Sequence, residues 1–299
     1  MISMTHKNHY KVYKWSFPRR FLFRLVQGIM TSIIPKLFTY EVYGTENLLG
    51  IPSDQPLILA GNHRSHLDAI IFGTSALPPR GNRKFFATIT PGQVYEEIPV
   101  FRILRYLGAY PIDKKHPQLS LNYFYEQLRA KNDILIFPQG GRMPRTPIED
   151  YQKYTQEGRS GVGRLVLRTN GSIPVVPFYL HGTAEALQPG SFLPKFGSYL
   201  SATFGKPIYF NKYKRENEWD DESKEFFDSA RQITNEVMAE IQKLCYTTEE
   251  GLFTYIEKKF NKPLVEIQLT ELQSKKIRKK IRKWSKHSPR DIFEAMNSK

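Results

Sequence analysis

From about residue 48 to residue 210, short apolar runs alternate with longer stretches in which apolar residues recur every three or four positions. The runs at 56–60, 84–89, 109–112, 134–137, 173–180 and 199–204 predict strands. The stretches at 66–76, 100–107, 119–130 and 162–169 predict helices between them. Such alternation predicts an α/β domain, a layered sheet flanked by helices. Beyond it, 221–247 and 263–284 read as helices with charged faces, so residues 211–299 form a helical C-terminal extension. No internal repeat and no Cys/His spacing suited to zinc is present, so no metal is expected.

The first 47 residues follow a different pattern. Phe21, Leu22, Phe23, Leu25, Val26, Ile29, Met30, Ile33, Ile34, Leu37 and Phe38 make an apolar segment that Arg24, Pro35 and Lys36 interrupt. A spanning helix needs roughly 20 apolar residues, so this segment is expected to lie on a bilayer or dip into it. No small-residue cleavage site follows, which argues against a secretory signal; an organelle transit peptide is the alternative for an acid-free, Arg-bearing start.

Charge sharpens that reading. The net charge is +15, yet residues 1–40 hold seven Lys/Arg and residues 275–290 hold nine, with no acid in either stretch. The basicity therefore belongs to the two ends of the chain. Ile277, Ile281 and Trp284 recur at helical spacing among the C-terminal lysines and arginines, a pattern open to three readings: a helix in an anionic membrane interface, a helix packed on its own domain, or a nucleic-acid contact. The anionic lipid surface is the preferred partner and nucleic acid is not expected. Together the ends predict a peripheral or monotopic protein on the cytoplasmic face of a membrane. Hydrophobic residues at 40% and aromatics at 13% give a globular composition, and the single Cys245 excludes an intrachain disulfide.

The most informative block is Gly61-Asn62-His63-Arg64-Ser65-His66-Leu67-Asp68, directly after Leu57-Ile58-Leu59-Ala60. A polar turn at a strand end is where an α/β sheet presents reactive side chains. His63 and Asp68 can meet if His63 sits in the turn and Asp68 in the first turn of the following helix, with Ser65 as N-cap. A carboxylate there would fix the imidazole tautomer and leave the other nitrogen as a general base. Ser65 and Asp68 equally suit a capping pair, Ser-x-x-Asp, so spacing alone leaves both readings open.

Asn-His followed by four residues and Asp resembles the first motif of the glycerolipid acyltransferases, the lysophosphatidate (1-acyl-glycerol-3-phosphate) acyltransferase family. Three later blocks are similar in order and spacing, so the resemblance spans about residues 55–210. Gly108-Ala109-Tyr110-Pro111-Ile112-Asp113-Lys114 is similar to Gly-x-x-x-Ile-Asp-Arg, and Phe137-Pro138-Gln139-Gly140-Gly141-Arg142 to Phe-Pro-Glu-Gly-Thr-Arg. The strand Ile173-Pro174-Val175-Val176-Pro177 resembles the family's Pro-Val-Val-Pro, with Arg159-Ser160-Gly161 before it and Gly205-Lys206-Pro207-Ile208 after it. Gln139 and Gly141 stand where the pattern has glutamate and threonine.

The resemblance implies an acyltransferase that moves a fatty acyl group from acyl-CoA or acyl carrier protein to the hydroxyl of 1-acyl-glycerol-3-phosphate, with no further cofactor. His63 and Asp68 would be catalytic. Asp113, Lys114, Gln139, Gly140, Gly141 and Arg142 would bind the acceptor phosphate. Pro174, Val175, Val176 and Pro177 would shape the acyl or donor pocket. Alternatives are another acceptor, such as glycerol-3-phosphate, a lysophospholipid or an amino-lipid, and a non-catalytic membrane-surface role. The implied organisation is a membrane-contacting segment at 1–47, an acyltransferase domain at 48–210 and the basic helical extension at 211–299.

Overall fold

The computed structural model describes residues 16–76, 80, 88–89, 110–111, 117–141, 146–154, 158–187, 191, 193–268, 270–273 and 275–284. In chain order its elements are α1 (Phe17–Leu37), β1 (Thr39–Tyr43), α2 (Thr45–Leu49), β2 (Ile58–Gly61), α3 (Asp68–Ala76), β3 (Thr88–Ile89), β4 (Tyr110–Pro111), α4 (Pro117–Arg129), β5 (Ile134–Ile136), α5 (Pro147–Lys153), α6 (Gly161–Arg168), β6 (Val175–His181), α7 (Thr183–Ala186), β7 (Tyr199–Phe204), α8 (Lys224–Phe260) and α9 (Lys275–Trp284). The α/β layered architecture expected from the alternation is the one observed. The helix expected at 100–107 and most of the strand expected at 84–89 lie outside the described residues.

Five strands form one mixed sheet in the order β1-β7-β6-β2-β5. β2 pairs in parallel with both β5 and β6, while β7 runs antiparallel to β6 and parallel to β1. Every residue of β2, β5 and β6 is buried, which explains their near-continuous apolar runs in place of strict alternation. One face of the sheet packs against α1, α2 and α3 through Phe23, Ile34, Leu48, Ile71 and Phe72. The other packs against α4, α6, α8 and α9 through Phe124, Leu165, Ile233, Phe253 and Trp284. β1 lies within the first 47 residues yet pairs with β7, and α8 lies beyond residue 210 yet fills the core over β6, so both terminal segments share the core of the middle one.

The structure revises several boundaries. α1 runs on through Pro35 and Lys36 to Leu37, although Pro35 lacks the N–H that would bond back to the preceding turn. Its apolar residues split: Phe23 and Ile34 are buried, while Phe17, Phe21, Leu25, Ile29 and Ile33 form an exposed stripe. No helix among the described residues is long and apolar enough to cross a membrane. α8 extends well past residue 247, and Gly251 is accommodated because the Trp284 indole occupies the space a side chain would need.

The region expected as one helix over 263–284 is instead two 3₁₀ turns, Leu264–Glu266 and Glu271–Gln273, followed by α9. The Gln152 amide satisfies the Leu264 and Ile267 carbonyls at 2.6 and 2.8 Å, so these backbone groups need no helical partner. The Ile277, Ile281 and Trp284 stripe of α9 is buried against the domain, which resolves the three readings of that helix in favour of intramolecular packing. Its basic residues Lys276, Arg278, Lys279 and Lys283 remain exposed.

Candidate active site

Because β2, β5 and β6 are parallel, their C-terminal ends meet at one edge of the sheet. The chain leaves β2 toward α3 on one face and leaves β5 toward α5 and α6 on the other. Adjacent parallel strands whose connections diverge in this way open a crevice at their C-terminal ends. The polar blocks that follow β2 and β5 both emerge there.

Gly61 ends β2 with the Phe178 ring so close that a Cβ would fall within 2.4 Å of it. Asn62 is fully buried and locks this strand end to β6: its Oδ1 accepts the Leu180 N–H at 2.7 Å and its Nδ2 donates to the Leu180 carbonyl at 2.8 Å. His63 follows, about one-fifth exposed, with Nδ1 2.8 Å from Asp68 Oδ2. Its ring stacks on Phe137, centroids 4.1 Å apart and planes 13° apart. Carboxylate and phenyl ring thus fix both the position and the plane of the imidazole. Nε2 is the ring nitrogen that Asp68 does not engage.

Asp68 Oδ2 also accepts the Arg64 N–H at 2.7 Å and the Ser65 N–H at 2.8 Å. The contacts that the capping and catalytic readings of Asp68 each require therefore meet at one oxygen. Ser65 Oγ accepts the Leu67 N–H at 3.3 Å, the bond an N-cap makes to the second residue after it, in keeping with the capping role expected of Ser65. The His63 N–H donates to Gln139 Oε1 at 3.3 Å. Three successive amides after β2 are thereby engaged by side chains, so an oxyanion at this site must find its donors elsewhere. The loop is held from its other side by Arg64, whose buried guanidinium pairs with Glu185 at 2.9 Å, and by Ser65 Oγ donating to the Leu187 carbonyl.

The third block turns sharply after β5. Gly140 has φ of +73°, and a Cβ there would strike Arg159 Cδ at 2.0 Å, so only glycine allows this arginine to lie over the turn. The Gly140 N–H closes the turn onto the Phe137 carbonyl at 2.9 Å. Exposed Arg159, read in the sequence only as part of a spacing match, thus sits at the same turn as Gly140. Gln139 points inward, nearly fully buried, between the His63 amide and Asp150. Pro174, Val175, Val176 and Pro177 lie in the buried centre of the sheet around the start of β6. Arg142, Asp113 and Lys114 lie outside the described residues.

Asp150 was not singled out by the sequence. It is fully buried on α5, and burial pushes its carboxyl up to about 6 against the pull of Arg64, Gln139 and Asn62. The signal that could have found its helix is Thr146-Pro147-Ile148-Glu149, which forms a reciprocal capping box with proline in the first turn. A second buried pair, His181 Nδ1 and Glu249 at 2.5 Å with Tyr179 donating to the same carboxylate, ties the end of β6 to α8. Cys245 is buried and burial pushes its thiol well up, which leaves it inert.

Residues 39–181 match the family model described as Acyltransferase. The chain is 23% identical over 193 residues to a chloroplastic 1-acyl-sn-glycerol-3-phosphate acyltransferase of Brassica napus, covering 60% of this chain and 48% of the relative. It is 22% identical over 165 residues to a probable 1-acyl-sn-glycerol-3-phosphate acyltransferase of Mycoplasma genitalium, covering 53% of this chain and 56% of the relative. The chain thus spans about half the length of the curated relatives it matches. Among solved structures it is similar to the 1-acyl-sn-glycerophosphate acyltransferase PlsC of Thermotoga maritima, with 18% identity, a TM-score of 0.49, and coverage of 75% of this chain and 81% of that one.

Proposed function

We propose that this chain, whose residues 39–181 match the Acyltransferase family model, transfers a fatty acyl group from a thioester donor to the hydroxyl of a 1-acyl-glycerol-3-phosphate. The observation that carries the reading is the His63–Asp68 pair at the crevice edge, with Nδ1 held at 2.8 Å. In the proposed step Nε2 takes the proton of the acceptor hydroxyl as its oxygen attacks the thioester carbonyl. The carbon–sulfur bond then breaks, and the departing thiolate receives that proton from the imidazolium. A thioester is already activated, so base and placement suffice and neither a metal nor an enzyme-bound acyl group is needed.

Arg142, supported by Lys114 and Arg159, is assigned to the acceptor phosphate, for which a guanidinium offers two matched donors. The donor is acyl-CoA or acyl carrier protein. The exposed apolar stripe of α1 would hold the domain at the bilayer that contains acceptor and product.

The test is acyl transfer by the purified protein to 1-acyl-glycerol-3-phosphate, glycerol-3-phosphate and a neutral lysophospholipid side by side. The expected result is product with the first alone. His63→Ala is expected to lower turnover by roughly 10²- to 10⁴-fold, the usual worth of a positioned base. Unchanged turnover in a folded His63→Ala protein would overturn the mechanism.

A further inference from the structure

The buried carboxylate of Asp150 is not part of the transfer chemistry, yet it contacts both residues that hold the His63 backbone. Its Oδ1 accepts from Gln139 Nε2 at 2.9 Å, and its Oδ2 faces Asn62 Nδ2 at 3.4 Å. Asn62 immediately precedes His63 and is clamped to Leu180 on β6. The other end of the Gln139 amide accepts the His63 N–H. We propose that Asp150 is a positioning residue for His63, acting through Asn62 and Gln139, and that it makes glutamine the residue required at position 139. The proposal rests on the reading of His63 as the base.

The chemistry of the amide carries the argument. An ionised carboxylate only accepts hydrogen bonds, so the donor end of Gln139 must face Asp150 and its acceptor end is left for His63. A glutamate at 139 could still accept the His63 N–H, but it would set a second buried carboxylate within about 3 Å of Asp150, a geometry in which two charges cannot persist. The ionisable groups that face Asp150 are Arg64 from the turn after β2, Asp68 from the start of α3, Tyr154 from the end of α5, Tyr179 from β6 and Cys245 from α8. Arg64 is the one cation in that set, and Glu185 already pairs with it. A single carboxylate is offset only in part there, since burial outweighs the pull of Arg64, and a second would find no further cation in that set. The glutamine that departs from the Phe-Pro-Glu-Gly pattern therefore answers a carboxylate on the neighbouring helix.

The relationship can be inverted. In Gln139→Glu/Asp150→Asn the donor and acceptor exchange sides: the new asparagine Nδ2 donates to the new glutamate, and its Oδ1 accepts from Asn62. The experiment compares the wild-type chain, Gln139→Glu and this double variant by kcat and KM for acyl transfer, by thermal midpoint, and by the imidazole nitrogen resonances of His63, assigned with His63→Ala. Gln139→Glu is expected to lower kcat at least about tenfold at neutral pH, with KM changed by less than about threefold, and to move the His63 resonance; the double variant restores both. A folded Gln139→Glu protein with wild-type kcat and an unmoved His63 resonance overturns the proposal, as does a folded double variant that fails to recover. If Gln139→Glu does not fold, recovery of the folded state in the double variant supports the coupling and its absence overturns it. The resonance needs no turnover, so it decides the positioning role even if no acceptor is acylated.

Discussion

The oxygen of Asp68 that stands 2.8 Å from His63 Nδ1 is the oxygen that closes the turn preceding its own helix, through the Arg64 and Ser65 amides. The two roles respond differently to substitution. Asp68→Asn retains an oxygen that can accept both amides but loses the charge opposite the imidazole. Asp68→Ala loses both. Asp68→Ala is expected to cost about 2 kcal/mol more than Asp68→Asn in urea unfolding, the worth of a lost cap with buried amides left unpaired. Both are expected to lower kcat by roughly 10² or more, because the tautomer is no longer set. Equal stability losses would show that Asp68 does not cap.

Asp150 gives the fold a pH dependence of definite sign. Its carboxyl rises from the ordinary 3.8 to about 6 on folding. The folded state therefore binds the proton more tightly than the unfolded chain. The stabilisation from that proton is complete below about pH 4 and is lost as pH rises through 6. A shift of this size corresponds to about 3 kcal/mol. The unfolding free energy of the wild type, measured relative to Asp150→Asn, is expected to fall by about that amount between pH 4 and 7. A difference that stays flat with pH would place the Asp150 carboxyl in an ordinary environment.

What the sequence made legible follows from how local each signal is. His63 and Asp68 were identifiable because strand, turn and helix start lie within one short block, and β7 was placed at 199–204 as observed because its apolar run is bounded by turns. Asp150 was not, because its importance arises from Asn62 and Gln139, 88 and 11 residues away, and nothing local marks a carboxylate as buried. The same reasoning explains α9. Its stripe of Ile277, Ile281 and Trp284 reads identically for a membrane and for a protein surface, and what decides between them is the core that receives it, including the gap at Gly251 on α8.

That contact predicts a reversal of sign. A Cβ on Gly251 would come within 2.3 Å of the Trp284 ring, so Gly251→Ala is expected to displace the indole and destabilise the protein. Trp284→Ala alone is expected to cost about 3–5 kcal/mol for the cavity it leaves. In the Trp284→Ala background the collision is gone, and Gly251→Ala becomes stabilising by about 0.5–1 kcal/mol, because alanine suits a helix interior better than glycine. Chemical unfolding of the four proteins reads the cycle directly; additive losses would mean that the indole does not sit over Gly251.

The exposed stripe of α1 gives the remaining prediction. Phe17, Phe21, Leu25, Ile29 and Ile33 recur every fourth residue on a helix whose other side buries Phe23 and Ile34, and Arg19, Arg20 and Arg24 lie among them. Apolar and basic groups so arranged suit the interface of an anionic bilayer, where burying one large side chain contributes about 1.5–3 kcal/mol. Phe21→Glu/Leu25→Glu is therefore expected to weaken co-sedimentation with vesicles containing an anionic phospholipid by at least about 100-fold. Both side chains are already exposed, so the unfolding free energy should change by less than about 0.5 kcal/mol. Transfer to a short-chain acceptor dissolved in water should persist, since the His63–Asp68 pair is untouched, while transfer to acceptor embedded in vesicles should fall with binding. Vesicle binding that survives both substitutions would move the membrane contact away from α1.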